Sequence, residues 1–197
     1  MKNSNENRSP RVLDTSALVH DPKSLLSYKD DIYICLTVLE ELDNLKERTN
    51  KSVSADARMC IRMLEDIING HTAEEMEVGI PLPSTETAQR GKLFIGIDTQ
   101  LDMAKELKHG IGSDADNRII NYALYLQKQL DKDVTIVSRD INMRLKARTV
   151  GVRAEDVAVD NQISDIDLLY TGVQAFEGDL FDRIKSEKDF KVSGEVY

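Results

Sequence analysis

Four carboxylates stand beside short apolar runs in a way that could do chemistry. Asp14 follows Val12-Leu13, and Asp140 follows Val134-Thr135-Ile136-Val137. Glu41 lies in Thr37-Val38-Leu39-Glu40-Glu41-Leu42, and Asp116 opens Asp116-Asn117-Arg118-Ile119-Ile120. Clustered acids repel and raise one another's pKa values, a strain that a hard divalent cation relieves. All-oxygen ligation selects Mg²⁺ or Mn²⁺ over zinc. No cysteine or histidine stands at ligand spacing: Cys35 and Cys60 lie in apolar stretches, and His20, His71 and His109 stand apart. The chemistry such a cluster offers is that of a bound divalent cation.

Each acid also has an ordinary role open to it. Asp14 and Asp140, between strand and helix, fit the N-cap position. Glu40 fits a capping box with Thr37 and falls nearly opposite the stripe of Val38, Leu42 and Leu45 at roughly 100° per residue. Glu41 sits at the border of that stripe and points towards the sheet edge; pairing with a lysine such as Lys46 is its alternative. Asp116 shares a face with Ile119, Ile120 and Ala123, where a carboxylate must be paired, hydrogen-bonded or metal-bound. Capping back to Ser113 is its ordinary alternative. Asp114 projects from the opposite side.

The elements that must position these residues are legible as an alternation. Val12–Leu13, Ile32–Leu36, Lys92–Ile97 and Val134–Val137 read as strands, near-continuously apolar as parallel strands are. Helices are expected from Thr37, from a cap near Ser54 to Asn69-Gly70, from Ser113 through Leu130, and from Ile141 to about Arg148. A further helical stretch is expected over Asp98–His109, and His71–Arg90 reads as irregular. This pattern predicts a three-layer α/β/α sandwich around a central parallel sheet of about four or five strands. Ligands of such sheets sit beyond the carboxyl ends of the strands, which is where the acids fall.

Composition narrows the class. The chain has 197 residues, 41% of them hydrophobic and 31% charged, and a net charge of −9. That length suits one domain of roughly 150 residues with an extension. The acidic balance argues against a basic nucleic-acid binder, but not against an enzyme whose bound cations invert the local field. With no tryptophan, a base-stacking platform is not expected. No apolar run approaches the ~20 residues of a membrane span, and Met1–Ser9 carries no signal-peptide pattern. Reduced core cysteines fit a cytoplasmic protein without a membrane partner.

Taken together the motifs resemble a known family. Val12-Leu13-Asp14-Thr15-Ser16-Ala17-Leu18 looks like the opening motif of PIN-domain ribonucleases. Thr37 to Leu42, Asp116 to Ile120 and Val137-Ser138-Arg139-Asp140 are similar to the motifs that follow, in family order, over about Arg11 to Val152. Narrower likeness lies in Glu40-Glu41-Leu42-Asp43-Asn44-Leu45-Lys46 and in Asp165-Ile166-Asp167-Leu168-Leu169-Tyr170-Thr171-Gly172. Both resemble the N-terminal PIN domain of PhoH-like ATPases. No G-x-x-x-x-G-K-[ST] occurs, so the resemblance implies an ATPase domain lying outside this sequence.

The resemblance implies a PIN-like fold and a ribonuclease acting on single-stranded RNA with Mg²⁺ or Mn²⁺. It assigns catalysis and metal ligation to Asp14, Glu41, Asp116 and Asp140, with Thr15, Ser16, Asp114 and Ser138 in support. Arg139, Arg144, Lys146 and Arg148 are candidates for tracking the RNA backbone, with a solvated helix face as their alternative. The expected organisation is a disordered N-terminus over 1–9, a PIN-like domain over 10–156, and an extension or linker over 157–197. A non-catalytic RNA-guiding or assembly module is the second reading, since fold does not establish turnover; a homo-oligomer stays open. A phospho-acceptor domain ranks below both, because only one acid follows the first strand.

Overall fold

The computed structural model describes residues 9–26, 28–47, 51–83, 90–107 and 114–157. The chain divides into two compact units, Met1–Val159 and Asp160–Tyr197. The second unit lies outside the described residues, as do the expectations for 1–8 and for a cap at Ser113.

The first strand is β1 (Arg11–Leu13), followed by the short helix α1 (Thr15–His20) and a 3₁₀ turn over Pro22–Leu26. Next come β2 (Ile32–Cys35), α2 (Leu36–Lys46) and α3 (Lys51–Ile68). After these, α4 (Ala73–Val78) leads into the two-residue β3 (Ile80–Pro81) and then β4 (Lys92–Gly96). The last part holds α5 (Asp114–Leu130), β5 (Thr135–Val137), α6 (Ile141–Thr149) and β6 (Arg153–Glu155).

The six strands form one sheet in the order β3-β4-β2-β1-β5-β6. Every pairing is parallel except β3 with β4. The chain therefore builds outward from β1 through β2 to β4, then returns to lay β5 and β6 on the other side of β1. Connections in opposite directions pack their helices on opposite faces, giving the three-layer α/β/α sandwich. The middle of the sheet is its driest part: Leu13, Ile34, Ile136 and Val137 are fully buried. Removing such a side chain from water contributes roughly 1.5–3 kcal/mol. On β2 and β4, Tyr33 and Phe94 are register partners and stack with ring centroids 4.5 Å apart. Gly79 ends α4 at φ 87, where a Cβ would come within 2.4 Å of the Phe94 ring.

Several local expectations are corrected. Five strands are parallel, as expected, and a sixth, β3, is added antiparallel at one edge. It has only two residues, and β6, Arg-Ala-Glu, carries no apolar run. Of the helix expected over Asp98–His109, the described residues 98–107 form a turn and a 3₁₀ segment, Lys105–Leu107, and the last two lie outside the described residues. Within the stretch read as irregular, Thr72 and Glu75 form a true capping box for α4. The box expected between Thr37 and Glu40 does not form. The N-cap of α2 is Cys35, with no side-chain cap of its own. Instead Asp98, 3% exposed, accepts the Thr37 N–H at 3.2 Å and the Thr37 hydroxyl. Among the described residues no helix is long and apolar enough to cross a membrane.

Candidate functional site

The order of strands reverses at β1, so the carboxyl ends of β1 and β5 flank the switch point where ligands of open α/β sheets bind. Leu13 and Val137 are register partners there, which sets Asp14 beside Ser138. Asp14 is 7% exposed and N-caps α1, its Oδ1 accepting the Thr15 N–H at 2.7 Å. Its Oδ2 accepts the Ser16 hydroxyl at 2.6 Å and the Ser138 hydroxyl at 2.7 Å. The two hydroxyls in turn accept backbone N–H groups, Ser16 from Arg139 and Ser138 from Asp140, each at 3.0 Å. Hydroxyls and amides thus hold the first acid to the loop that carries the last.

The other acids come in from three helices. Glu41, half-buried on α2, accepts the Thr15 hydroxyl at 2.6 Å, whereas Glu40 is exposed. Asp140 is exposed and N-caps α6 through the Asn142 N–H at 2.7 Å. Asp116, in the first turn of α5, meets Lys146 of α6 at 2.7 Å. Asp14, Glu41, Asp116 and Asp140 together line one cleft of about 560 Å³, joined by Thr15, Ser16, His20, Asn44 and Arg139. Asp114 stands exposed at the first position of α5, outside that lining. His20 and Asn44 have no motif that singles them out; they reach the cleft because α1 and α2 pack together.

The basic residues are placed as follows. Arg139 and Arg144 pair with Asp156 at 3.6 and 3.2 Å. Arg144 also donates to the Ser138 carbonyl, and Arg148 to the Ala154 carbonyl. A second recess of about 540 Å³ lies at the opposite, amino ends of β1, β5 and β6. Its guanidinium groups are already engaged, Arg11 with Asp30 and Glu155, and Arg153 with Asp133. It offers no comparable chemistry.

The PIN domain family matches residues 11–158. The chain belongs to the PIN-domain family. PIN domains are typically metal-dependent nucleases. Protein PhoH2 of Bacillus subtilis (strain 168) is 28% identical over 178 residues, covering 82% of this chain and 35% of that protein. Protein PhoH2 of Thermobispora bispora is 31% identical over 147 residues, covering 74% of this chain and 31% of that protein. The chain thus spans about a third of the length of the curated relatives it matches. Among solved structures, a domain of a functionally unknown protein from Methanocaldococcus jannaschii DSM 2661 is similar with a TM-score of 0.44 and 14% identity. That likeness covers 75% of this chain and 90% of that one.

The four carboxylates and the hydroxyls beside them are oxygen donors of the kind a hard divalent cation takes, and His20, Asn44 and Arg139 share the cleft with them. The arrangement itself is looser than a coordination sphere. Among the described residues no three His, Cys, Asp or Glu side chains stand close enough together to hold a metal ion.

Proposed function

We propose that this PIN domain is a ribonuclease that cleaves single-stranded RNA with Mg²⁺ or Mn²⁺. The observation that supports this most is the gathering of Asp14, Glu41, Asp116 and Asp140 in one cleft at the switch point of the sheet. Asp14, Glu41, Asp116 and Asp140 would hold the metal, which when bound activates water and stabilises charge developing on the scissile phosphate. Thr15, Ser16 and Ser138 orient the carboxylates through the hydroxyl bonds to Glu41 and Asp14. Asp114 would act only as a neighbour that strengthens the local negative field. Arg139, Arg144 and Lys146 would steer the RNA backbone by charge, against the repulsion of a chain with net charge −9. Arg148, expected to join them, instead lines the recess at the opposite ends of the strands, because α6 runs back from the cleft to that side of the sheet.

In the full-length protein this domain, over 10–156, would precede an ATPase domain of the PhoH-like kind, with 157–197 as the connection. The two buried free thiols, Cys35 and Cys60, suit a reducing cytoplasm. The Lys146–Asp116 pair favours a second reading, a domain that guides RNA or an assembly without cutting it.

Purified chain incubated with end-labelled single-stranded RNA separates the two. The ribonuclease reading expects cleavage with Mn²⁺ or Mg²⁺, none with chelator, and a loss of at least about 100-fold in Asp14→Asn. RNA binding without metal-dependent cleavage would replace it with the guiding reading.

A further inference from the structure

Lys146 sits in the second turn of α6, the helix whose N-cap is Asp140, and its ammonium reaches across to α5. There Nζ donates to Asp116 Oδ2 at 2.7 Å, with the two side chains only 27% and 26% exposed. Such shielding makes the pair less screened than one in open solvent. The neighbouring arginines are engaged differently, Arg139 and Arg144 with Asp156 and Arg148 with a backbone carbonyl. Lys146 therefore puts a positive charge on an acid that the ribonuclease reading gives to the metal.

An ammonium and a divalent cation cannot share that carboxylate without loss. They compete for its oxygens, and they repel each other across a few ångströms of partly buried protein. The geometry points to Lys146 as a built-in competitor of the metal, whose ammonium must leave Asp116 when the cleft is loaded. Once released, it remains tethered at the cleft wall, among acids that the metal would then hold, and is available to a phosphate of bound RNA. Loading then makes the cleft more receptive to RNA, and by thermodynamic reciprocity RNA tightens the metal. This inference rests on the reading of the four acids as metal ligands.

Calorimetric titration of Mn²⁺ alone, without RNA, tests it in the wild type, Lys146→Met, Lys146→Arg and Asp14→Asn. Lys146→Met is expected to bind Mn²⁺ about three- to tenfold more tightly than the wild type, about a kcal/mol by RT ln K. Lys146→Arg keeps the charge and is expected to stay near wild type. Lys146→Met binding Mn²⁺ no more tightly than the wild type would overturn the inference. A second measurement needs no variant of the lysine: acetylation of Lys146, mapped by mass spectrometry, should quicken when Mg²⁺ is added. The same rate with and without saturating Mg²⁺ would also overturn it. Asp14→Asn separates this failure from a deeper one. If it abolishes Mn²⁺ binding while Lys146→Met changes nothing, competition is wrong and the metal site stands. If it binds Mn²⁺ like the wild type, the metal site itself is wrong.

Discussion

The Ser138 hydroxyl, fully buried, donates to Asp14 Oδ2 at 2.7 Å while accepting the Asp140 N–H at 3.0 Å. One oxygen thus ties an acid at the end of β1 to an acid beyond the end of β5. Ser138→Ala removes a bond to a buried carboxylate and leaves an amide short of its acceptor. A loss of about 1–3 kcal/mol is expected, read from urea unfolding. A variant as stable as the wild type would mean the hydroxyl does not hold the two loops together.

Asp98 is expected to matter more to α2 than either of that helix's own glutamates. It takes both the amide and the hydroxyl of Thr37 and so fixes the turn from which Glu41 projects. Asp98→Ala should cost about 1–3 kcal/mol, since it orphans a helix-terminal N–H beneath the surface. Glu40→Ala should stay within about 0.5 kcal/mol, as a substitution on an exposed face. Denaturation of the two variants side by side checks the contrast, and a larger loss from Glu40→Ala would reverse the assignment of the cap.

Alkaline pH should unfold the domain earlier than its surface charge suggests. Burial pushes the Cys35 and Cys60 thiols up to about 12, with the Asp98 carboxylate adding to the effect at Cys35. Burial also raises the Tyr33 phenol to about 12 and pushes the Tyr122 phenol upward. The native state therefore keeps protons that the unfolded chain releases near the ordinary values of 9.0 and 10.0. Stability from these groups is complete below those values and falls as pH rises through them towards 12. Urea midpoints should hold up to about pH 8.5 and decline steadily above it. A midpoint unchanged to about pH 10.5 would contradict this.

The sequence carried the alternation of strands and helices because β1, β2, β4 and β5 are apolar enough to be read without their neighbours. Helical spacing also separates Glu41 from Glu40, and the two side chains do part, one to the cleft and one to solvent. Edge strands were not legible. In β3 there are only two residues, and in β6 Ala154 alone is buried, so neither leaves a period to detect. Contacts between distant positions were equally hidden: Thr37 finds its cap 61 residues away, and Asp116 meets Lys146 across 30. The one sequence signal for Asp98 is that it follows β4 much as Asp14 follows β1 and Asp140 follows β5. Reading it as the start of a helix concealed that parallel.

The placement of the metal is open to direct observation. Crystals soaked in Mn²⁺ should give an anomalous peak in the cleft, ligated by Asp14 and held by Glu41, Asp116 and Asp140 directly or through water. Asp14→Asn crystals treated alike should lose it. No peak in the wild-type cleft at saturating Mn²⁺, or a peak held by residues other than these four, would contradict the metal centre and the nuclease chemistry built on it.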